Sequence, residues 1–430
     1  MNKDLKFALS VSALLSIGYI YYDIPWGLMD DYKWIVRTEE FIVNPFSSYV
    51  EFQNYMIGKG TIQPFIHLQY IVQYIPGLYI SPLITHIENI FILIFTHYFL
   101  YKIMGNKIRI NYLYSLSIFL IFPYTFDLFL LPSLQEKFTI PLFSYLLFKL
   151  EKAREEGLDR STILFIISFS IPLIKLQGSV FILFVFVYFF YFRTKSSVIS
   201  LLGFALSIFI QAYLLFFTNS GYYVLEKTPT QILNTLLSLQ NLLFIVVILL
   251  SGFFAFKDNN KETKIYINGF CLSGLGIIFI LINWDSYGYL YGFYTFFLCI
   301  LVPYCIVSVS ERLNFKFLNN LIPPVLIVLT LLSANLFFLP RIERWSDLNL
   351  VYEVLDSVKL DNNIYYCGSE GVLTFNNLND TKNKVSFAGN FNDIKQKNFY
   401  FISDDLQCDY LNDDFLSNCC LLYTSPSPRD

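Results

Sequence analysis

The chain has 430 residues, with 30 Lys and Arg, 33 Asp and Glu, and a formal net charge of −3. Hydrophobic residues make up 55% and charged residues 15%, against about 25% charged residues in typical soluble domains. This composition excludes an ordinary soluble globular protein, and no basic patch indicates a nucleic-acid partner. Several charge-free stretches of about 18 or more residues predict a polytopic α-helical membrane protein, because a helix of that length crosses a bilayer.

The apolar stretches predict about eleven transmembrane helices. The predicted spans cover approximately residues 5–22, 78–101, 110–131, 138–150, 161–174, 179–192, 198–217, 241–256, 265–284, 290–308 and 321–339. The mixed stretch 65–77 predicts an interfacial helix or one that enters the bilayer at a slant. A surface helix is expected within the polar loop 219–240. Lys and Arg concentrate in alternate loops, so the positive-inside rule predicts a cytoplasmic N-terminus in a bacterial inner membrane.

The spans divide the chain into a transmembrane module, residues 1–340, and a tail. The module contains a first extracytoplasmic loop at 23–64. The tail at 341–419 reads as a small extracytoplasmic α/β domain, with an amphipathic helix and strands at 363–367 and 398–403. In such a compartment Cys367 and Cys408 can form a disulfide, and two free thiols are the alternative.

Residues 420–430 match one reading frame of an adapter used in sequencing libraries. We therefore exclude them from reasoning about the fold. The natural C-terminus is then expected to be missing, and the tail domain to be truncated.

The first loop contains two adjacent carboxylates, Asp30 and Asp31, shortly after the first span. Such a pair can share a divalent cation, or one carboxylate can act as a base while the other orients a ligand. The pair can instead cap a helix that follows at 32–41. Trp26 beside the pair fits contact with a sugar or lipid, and it fits membrane-surface anchoring equally well.

A second candidate is the segment 58–64, Gly-Lys-Gly-Thr-Ile-Gln-Pro. Its two glycines and Lys59 can present backbone N–H groups and an ammonium to a phosphate. The spacing is not that of a P-loop, which requires GxxxxGK[ST]. The alternative is a simple turn into the helix predicted at 65–77.

Three further polar segments lie between predicted spans. Glu136 and Lys137 form an acid–base pair at the mouth of a short hairpin, or an exposed pair of little energetic value. Lys175 and Gln177 separate two apolar spans, where a lysine can reach the interface or bind an anionic phosphate. Asp285 lies within an aromatic loop. All five are candidate substrate- or phosphate-binding residues.

Four other ionisable residues lie inside predicted spans. Glu88 and His97 are expected to line the interior of the bundle, because intramembrane ionisable residues tend to face it. His86 is expected at the interface. Asp127 either caps a helix or faces the active-site cavity.

These features resemble the GT-C superfamily of integral membrane glycosyltransferases, which includes protein O-mannosyltransferases and aminoarabinose transferases. In that family a long extracytoplasmic loop with an acidic motif follows the first span, and amphipathic helices come next. Asp30 and Asp31, in Gly-Leu-Met-Asp-Asp-Tyr, stand at that position. The segment 58–64 resembles the glycine-rich basic segment before the second span. The acids are adjacent here rather than separated by one residue, and beyond the N-terminal part the resemblance is only one of topology.

The resemblance implies a polyprenyl-phosphate sugar donor that enters from the bilayer lipids, and a glycan, lipid or protein acceptor outside. It implies that Asp30 or Asp31 is the base, or that the pair holds a divalent cation, Mg²⁺ or Mn²⁺. Lys59, Lys137 and Lys175 are then candidates to neutralise the phosphate leaving group.

Two other functions stay open. A surface-polysaccharide polymerase or ligase usually carries its large outer loop later in the chain, with arginines in it, whereas the largest embedded loop here is the first. A lipid or solute transporter should show inverted repeats or matching broken helices, and no such symmetry is evident in the sequence. A purely structural membrane protein predicts nothing special at Asp30 and Asp31.

Overall fold

The computed structural model describes residues 3–22, 31–108, 112–130, 135–157, 161–218, 228–283, 291–313, 316–339, 363–367, 385–387 and 399–403. Five of its helices are long and apolar enough to cross a membrane, which confirms the helical membrane class. They contain the segments Pro82–Lys102, Lys195–Phe217, Leu239–Lys257, Lys261–Ile280 and Gly292–Arg312. Shorter apolar helical segments lie at Ser161–Ile174, Leu176–Phe192 and Pro324–Phe338. The total of about eleven spans stays a prediction.

The described residues of the first half of the chain form ten α-helices and two irregular helices. They are α1 (Lys3–Tyr22), α2 (Asp31–Val43), α3 (Pro45–Gly58), α4 (Ile66–Gln69), a π-helix (Tyr70–Tyr74), α5 (Ile75–Tyr79), α6 (Pro82–Ile108), α7 (Tyr112–Ile121), α8 (Pro123–Leu130), α9 (Glu136–Glu156), α10 (Ser161–Ile174) and a 3₁₀ helix (Leu176–Val180). Part of the predicted polar loop is therefore helical.

The second half continues the bundle. Its helices are α11 (Phe181–Phe192), α12 (Lys195–Phe217), α13 (Pro229–Leu236), α14 (Leu239–Lys257), α15 (Lys261–Asn283), α16 (Gly292–Leu313), α17 (Lys316–Ser333) and a second π-helix (Ala334–Phe338). The surface helix expected within 219–240 is α13, which begins with a capping box between Thr228 and Gln231.

The third predicted span is two helices rather than one. Pro123 has no backbone N–H to donate to the carbonyl of Phe119, so one helical hydrogen bond is missing there. Thr125 Oγ1 donates to that carbonyl at 2.7 Å instead. The break between α7 and α8 therefore lies at this proline, where a side chain replaces the backbone donor.

The fourth predicted span is longer than expected, because the charged stretch after residue 149 is helical up to Glu156. An ion pair of 3.6 Å between Lys152 and Glu156 supports this last part of α9. The helix ends at Gly157, whose φ of 65° is accessible to glycine at little cost.

Charged side chains join α9 to α6 and α15 at one end of the bundle, which we call the charged end. Glu151 Oε2 lies 2.6 Å from Lys107 Nζ and 2.8 Å from Arg154 Nη2. Arg154 Nη2 also lies 2.7 Å from Glu262 Oε1, and Tyr188 donates to Glu151 at 2.9 Å. Burial alone would lower the pKa of Lys107 and raise that of Glu151. Burial is the largest single effect on each group, but their hydrogen bonds and neighbouring opposite charges together outweigh it, so the pKa of Lys107 is raised and that of Glu151 is lowered.

Aromatic side chains fill the centre of the bundle. The rings of Phe143 and Phe181 are stacked with centroids 3.9 Å apart, and Phe181 meets Phe296 edge-on at 5.8 Å. Aromatic pairs of this kind contribute about 0.5–1.5 kcal/mol each beyond the area they bury. They connect α9, α11 and α16 into one core.

In the tail the structure describes three strands, β1 (Asn363–Cys367), β2 (Val385–Phe387) and β3 (Phe399–Ser403). They form a parallel sheet of order β2-β1-β3, with Ile364 opposite both Val385 and Tyr400. Two of these strands are the predicted ones. The predicted helix and Cys408 lie outside the described residues, so the α/β domain and the disulfide stay predictions.

A close helix contact in the bundle gives a first test of this packing. A Cβ added to Gly203 of α12 would lie 2.2 Å from Ser168 Oγ and 2.8 Å from Phe165 O of α10. We expect Gly203→Ala to lower the free energy of unfolding by about 1–3 kcal/mol, because the two helices must move apart. Gly252→Ala is the matched control, since a Cβ there meets nothing within 4 Å. Denaturant titration in mixed micelles compares them; equal stability would contradict the packing.

Candidate functional site

An apolar groove of about 790 Å³ runs along the side of the bundle between α4, the first π-helix, α6, α9 and α10. Aromatic and aliphatic side chains dominate its lining, among them Phe95, Phe99 and Tyr145. Leu68 and Ile166 line the groove and are also exposed, so it opens to the side of the bundle. In a membrane, that side faces the lipid chains.

A buried polar network lies at one end of this groove. Gln69, which lines the groove, donates to Gln73 Oε1 at 3.2 Å. Gln73 Nε2 donates to Asn89 Oδ1 at 2.7 Å, and Lys137 Nζ donates to the same oxygen at 2.6 Å. All four residues are buried. We call this the loop end, opposite the charged end.

The π-helix positions this network. A π-turn adds a residue to the helical turn and occurs frequently at functional sites. Here it contains Gln73, whose side chain reaches Asn89 and whose carbonyl accepts a hydrogen bond from Thr85 Oγ1 at 2.9 Å. Two helices of the network are thereby fixed relative to each other.

Of the predicted site residues that the structure describes, Lys137 is the one that belongs to this buried network. It lies in the first turn of α9 and is fully buried, between the groove-lining residues Gln135 and Phe138. The interpretation of Glu136 and Lys137 as an exposed loop pair is therefore wrong for Lys137. A buried ammonium is costly unless a partner or ligand compensates its charge. Glu136 begins α9, and its side chain lies outside the described residues.

The acidic candidates lie mostly outside the described residues. Asp30 and Asp285 are outside them, and of Asp31 only the backbone is described. α2 begins at Asp31, so the helix that the capping interpretation requires is present.

The segment 58–64 is a helix ending. Gly60, with a φ of 76°, donates to Ile57 O at 2.8 Å, and Thr61 N donates to Met56 O at 3.0 Å. This is the Schellman pattern that closes a helix with a left-handed glycine. These N–H groups, and that of Lys59, already donate hydrogen bonds to carbonyls of α3. The prediction that they bind a phosphate is therefore wrong. The Lys59 ammonium lies 5.7 Å from the ring centre of Tyr55.

Lys175 and Gln177 lie where α10 breaks before the 3₁₀ helix. Lys175 is half-buried with an extended backbone, and Gln177 is buried. Gln177 Oε1 has no hydrogen-bond partner among the described residues. Both belong to the loop end, because Gln211 contacts Pro172 of α10 as well as Ile62.

The first loop packs on the π-helix through an aromatic cluster around His67. The rings of Phe41, Tyr49 and Tyr70 lie 4.9–5.0 Å from the His67 ring. Burial, and secondarily the charge of Arg37, lowers the pKa of His67 to about 4. His67 is therefore neutral at physiological pH and acts as part of the packing that joins α2 and α3 to α4.

The other ionisable residues are distributed as follows. His97 is buried and bonds Ser115 Oγ at 2.8 Å, as expected for an interior residue. His86 is fully buried and stacks on Tyr19 at 5.1 Å, and its interfacial depth stays a prediction. Glu88 is half-buried near Lys137. The Asp127 side chain lies outside the described residues.

Sequence reasoning did not single out Gln73, Asn89 or Gln211. Gln69 and Gln73 lie four residues apart in a largely apolar stretch, which is the spacing of one helix face. That spacing was the available signal. Asn89 and Gln211 are single amides within long apolar helices, and only the fold shows what they contact.

Comparisons of the chain with protein-family models, with curated proteins and with solved structures gave no match. Within the part of the chain that the structure describes, no group of three or more His, Cys, Asp and Glu side chains is placed to hold a metal ion. The implied cation site at Asp30 and Asp31 lies outside that part.

Proposed function

We propose that this protein is a membrane glycosyltransferase. It moves a sugar from a polyprenyl-phosphate donor to a cell-envelope glycan, lipid or protein acceptor. The observation that carries the proposal is the apolar groove that opens to the side of the bundle and is lined by Gln69, whose hydrogen bonds lead through Gln73 and Asn89 to the buried Lys137.

The groove fits the lipid part of such a donor. Its volume of about 790 Å³ lies in the range of small-molecule sites, and its lining is almost wholly apolar. An isoprenoid chain that enters from the bilayer exchanges lipid contacts for aromatic and aliphatic ones. Affinity must then come from close packing and from the polar head.

The loop-end network fits the phosphate. Lys137 is held by Asn89, which Gln73 also contacts, so its ammonium has a fixed position in the network that reaches the groove at Gln69. A preorganised cation in a dry site stabilises developing negative charge more effectively than one in water. Lys59 and Lys175 lie in neighbouring loop-end segments and can add to this positive field.

The transfer requires one base and one stabilised leaving group. Asp30 or Asp31 accepts the proton of the acceptor hydroxyl, whose oxygen attacks the anomeric carbon. The bond from that carbon to the phosphate oxygen breaks, and the electron pair stays on the phosphate beside Lys137. A divalent cation between the two carboxylates would add Lewis-acid stabilisation when bound.

The charge distribution supports an extracytoplasmic loop end. Lys102, Lys152, Arg193 and Lys257 all lie toward the charged end, at helix termini remote from the groove's polar end. Under the positive-inside rule that end is cytoplasmic, in the inner membrane of a bacterium. Acceptors would then approach from the cell envelope.

Replacing the acidic pair tests this chemistry. We expect Asp30→Asn or Asp31→Asn to lower transfer from a labelled polyprenyl-phosphate sugar by about 10²–10⁴-fold, because general-base catalysis is lost. Purified protein in vesicles would be assayed against a panel of such donors. Glu51→Gln is the control, since Glu51 is an exposed acid of α3 in the same loop.

The same assay separates the alternatives. Transfer only from a lipid-linked oligosaccharide would indicate a polymerase or ligase. Movement of the lipid across the vesicle without a new glycosidic bond would indicate a transporter. If no donor is consumed, or if both Asp variants match the wild type, the transferase proposal is wrong.

A further inference from the structure

In the segment between α3 and α4, backbone N–H and C=O groups form hydrogen bonds with side-chain amides. In a β-sheet, a neighbouring strand would provide these bonds. Gln211 Oε1 accepts from Thr61 Oγ1 at 2.9 Å and from Ile62 N at 3.2 Å. Gln211 Nε2 donates to Ile62 O at 3.0 Å. The glutamine thus satisfies both backbone polar groups of Ile62 from a helix 149 residues further along the chain.

A second glutamine does the same for the next residue. Gln53 Nε2 donates to Gln63 O at 3.0 Å, and Gln53 Oε1 accepts from Gln63 N at 3.2 Å. Gln53 and Gln211 are both buried. A side-chain carboxamide offers an N–H donor and a C=O acceptor together, as a peptide group does. We call these two residues the amide clamp.

The clamp connects two of the candidate segments. Gln211 lies near the loop end of α12, and its Nε2 also lies 3.5 Å from Pro172 O of α10. Pro172 precedes the break that contains Lys175, and Ile62 follows the helix end that contains Lys59. One buried amide therefore contacts the backbone beside each of these lysines.

Because the amide clamp is buried, breaking its hydrogen bonds costs more free energy than breaking a contact on the surface. An unsatisfied amide in an apolar environment costs free energy, so releasing the segment would leave Gln211 and the Ile62 backbone without partners. The first-loop helices α2 and α3 precede this segment directly in the chain. Their position over the bundle thus depends on a hydrogen-bond pattern set by a transmembrane helix.

We propose that Gln211 is a positioning residue, which fixes the first loop, and with it Asp31 and Lys59, on the transmembrane bundle beside the Lys175 break. This inference rests on the proposed function for its kinetic consequence, though not for the clamp itself. Gln211 does not line the groove. Its loss should therefore misplace the catalytic loop and leave the lipid site unchanged.

The test compares Gln211→Leu with Asn241→Leu. Asn241 is also a fully buried loop-end amide, but it bonds Thr235 O and Tyr294 rather than the first loop. Hydrogen exchange over residues 44–64, the free energy of unfolding, and kcat and KM for the lipid donor are measured on each full-length protein in vesicles or micelles.

We expect Gln211→Leu to accelerate exchange at Ile62 and Gln63 by about tenfold or more, because the first loop opens locally. It should lower kcat by about 10²-fold with little change in KM, as expected for a misplaced catalytic group. Asn241→Leu should lower stability yet leave exchange at 44–64 and kcat near the wild-type values.

Unchanged exchange at Ile62 in Gln211→Leu, or a fall in kcat that Asn241→Leu reproduces at equal stability, overturns the inference. If Gln211→Leu does not fold, Gln53→Leu tests the clamp from the loop side by exchange at Gln63, where unchanged exchange is again contrary. If the wild type consumes no donor, the proposed function fails, and exchange alone then decides whether the clamp holds the loop.

Discussion

Lys137→Met should remove most sugar transfer while the protein stays folded. Methionine has nearly the length of lysine and no charge, so it can occupy the same buried position. Asn89 would lose one donor but keep the hydrogen bond from Gln73. Methionine removes the cost of burying an ammonium, while Glu88 loses a nearby cation, so we expect the free energy of unfolding to change little.

Transfer should nevertheless fall by about 10²–10³-fold, the usual cost of removing a preorganised electrostatic contact to a transition state. The measurement is donor turnover in vesicles, together with the free energy of unfolding. Lys152→Met is the control, because Lys152 lies on the same helix and its side chain is 41% exposed. A Lys137→Met protein that turns over donor like the wild type would contradict the phosphate role.

Lipid binding separates the two parts of the proposed site. We expect Lys137→Met to bind a polyprenyl phosphate more weakly than the wild type does, but to bind the uncharged polyprenol equally well. The groove lining is untouched in this variant, so the tail contacts persist. Equal weakening for both lipids would mean that the substitution deforms the groove, and the charge would then not be the cause.

Apolar length was sufficient to predict the membrane class, because a charge-free helix has few other stable environments. It was not sufficient to locate helix ends. Pro123 divides a continuous apolar stretch, and the charged residues after Lys149 extend α9 because they pair with one another and with Glu262. The pair with Glu262 joins segments distant in sequence, so periodicity alone does not predict it.

In the candidate site, too, the sequence predicted some features and not others. Lys137 was predicted from its residue type and from its place between two spans, yet its burial depends on α6 and the π-helix, which lie about fifty residues earlier. The helix ending at Gly60 shows the opposite case. There the sequence Gly-Lys-Gly resembles a phosphate-binding loop, but local helix-end geometry uses the N–H groups.

Glu151→Gln should destabilise the protein strongly without changing how it handles its donor. The Glu151 side chain is 6% exposed and bonds Lys107, Arg154 and Tyr188. Removing its charge leaves two cations close together with fewer counter-charges. Breaking a buried ion pair in this way costs about 3–5 kcal/mol, and we expect the lower part of that range because Lys107 keeps Glu155 and Glu262.

The pKa shifts of Glu151 and Lys107 predict the pH range over which this ion pair stabilises the protein. The pKa of Glu151 is lowered in the folded protein, so its contribution is complete above the ordinary carboxyl value of about 4.3 and is lost as pH falls through the folded value. The pKa of Lys107 is raised, so its contribution is complete below about 10.4 and is lost as pH rises through its folded value. Between these limits, the contribution of the pair to stability should not vary with pH, so the difference between the wild type and Glu151→Gln should be constant.

Glu155→Gln is the matched control, since its carboxylate also reaches Lys107 but its side chain is 57% exposed. An exposed pair contributes about 0–1 kcal/mol, so this variant should stay near the wild type. The double variant Lys107→Met with Glu151→Leu should recover much of the loss, because both members of the pair become apolar together. Stabilities that are equal in Glu151→Gln and Glu155→Gln would contradict the central position of Glu151.

For the two buried charged residues of α9, Glu151 and Lys137, we therefore expect opposite effects of substitution on stability and on turnover. Glu151 at the charged end has its counter-charges within the protein, so its removal should cost stability and leave KM for the donor unchanged. Lys137 at the loop end belongs to the hydrogen-bond network that reaches the groove through Gln69, so its removal should cost turnover and change stability little. If Lys137→Met proves unstable and Glu151→Gln inactive but stable, the ligand belongs at the other end of the bundle.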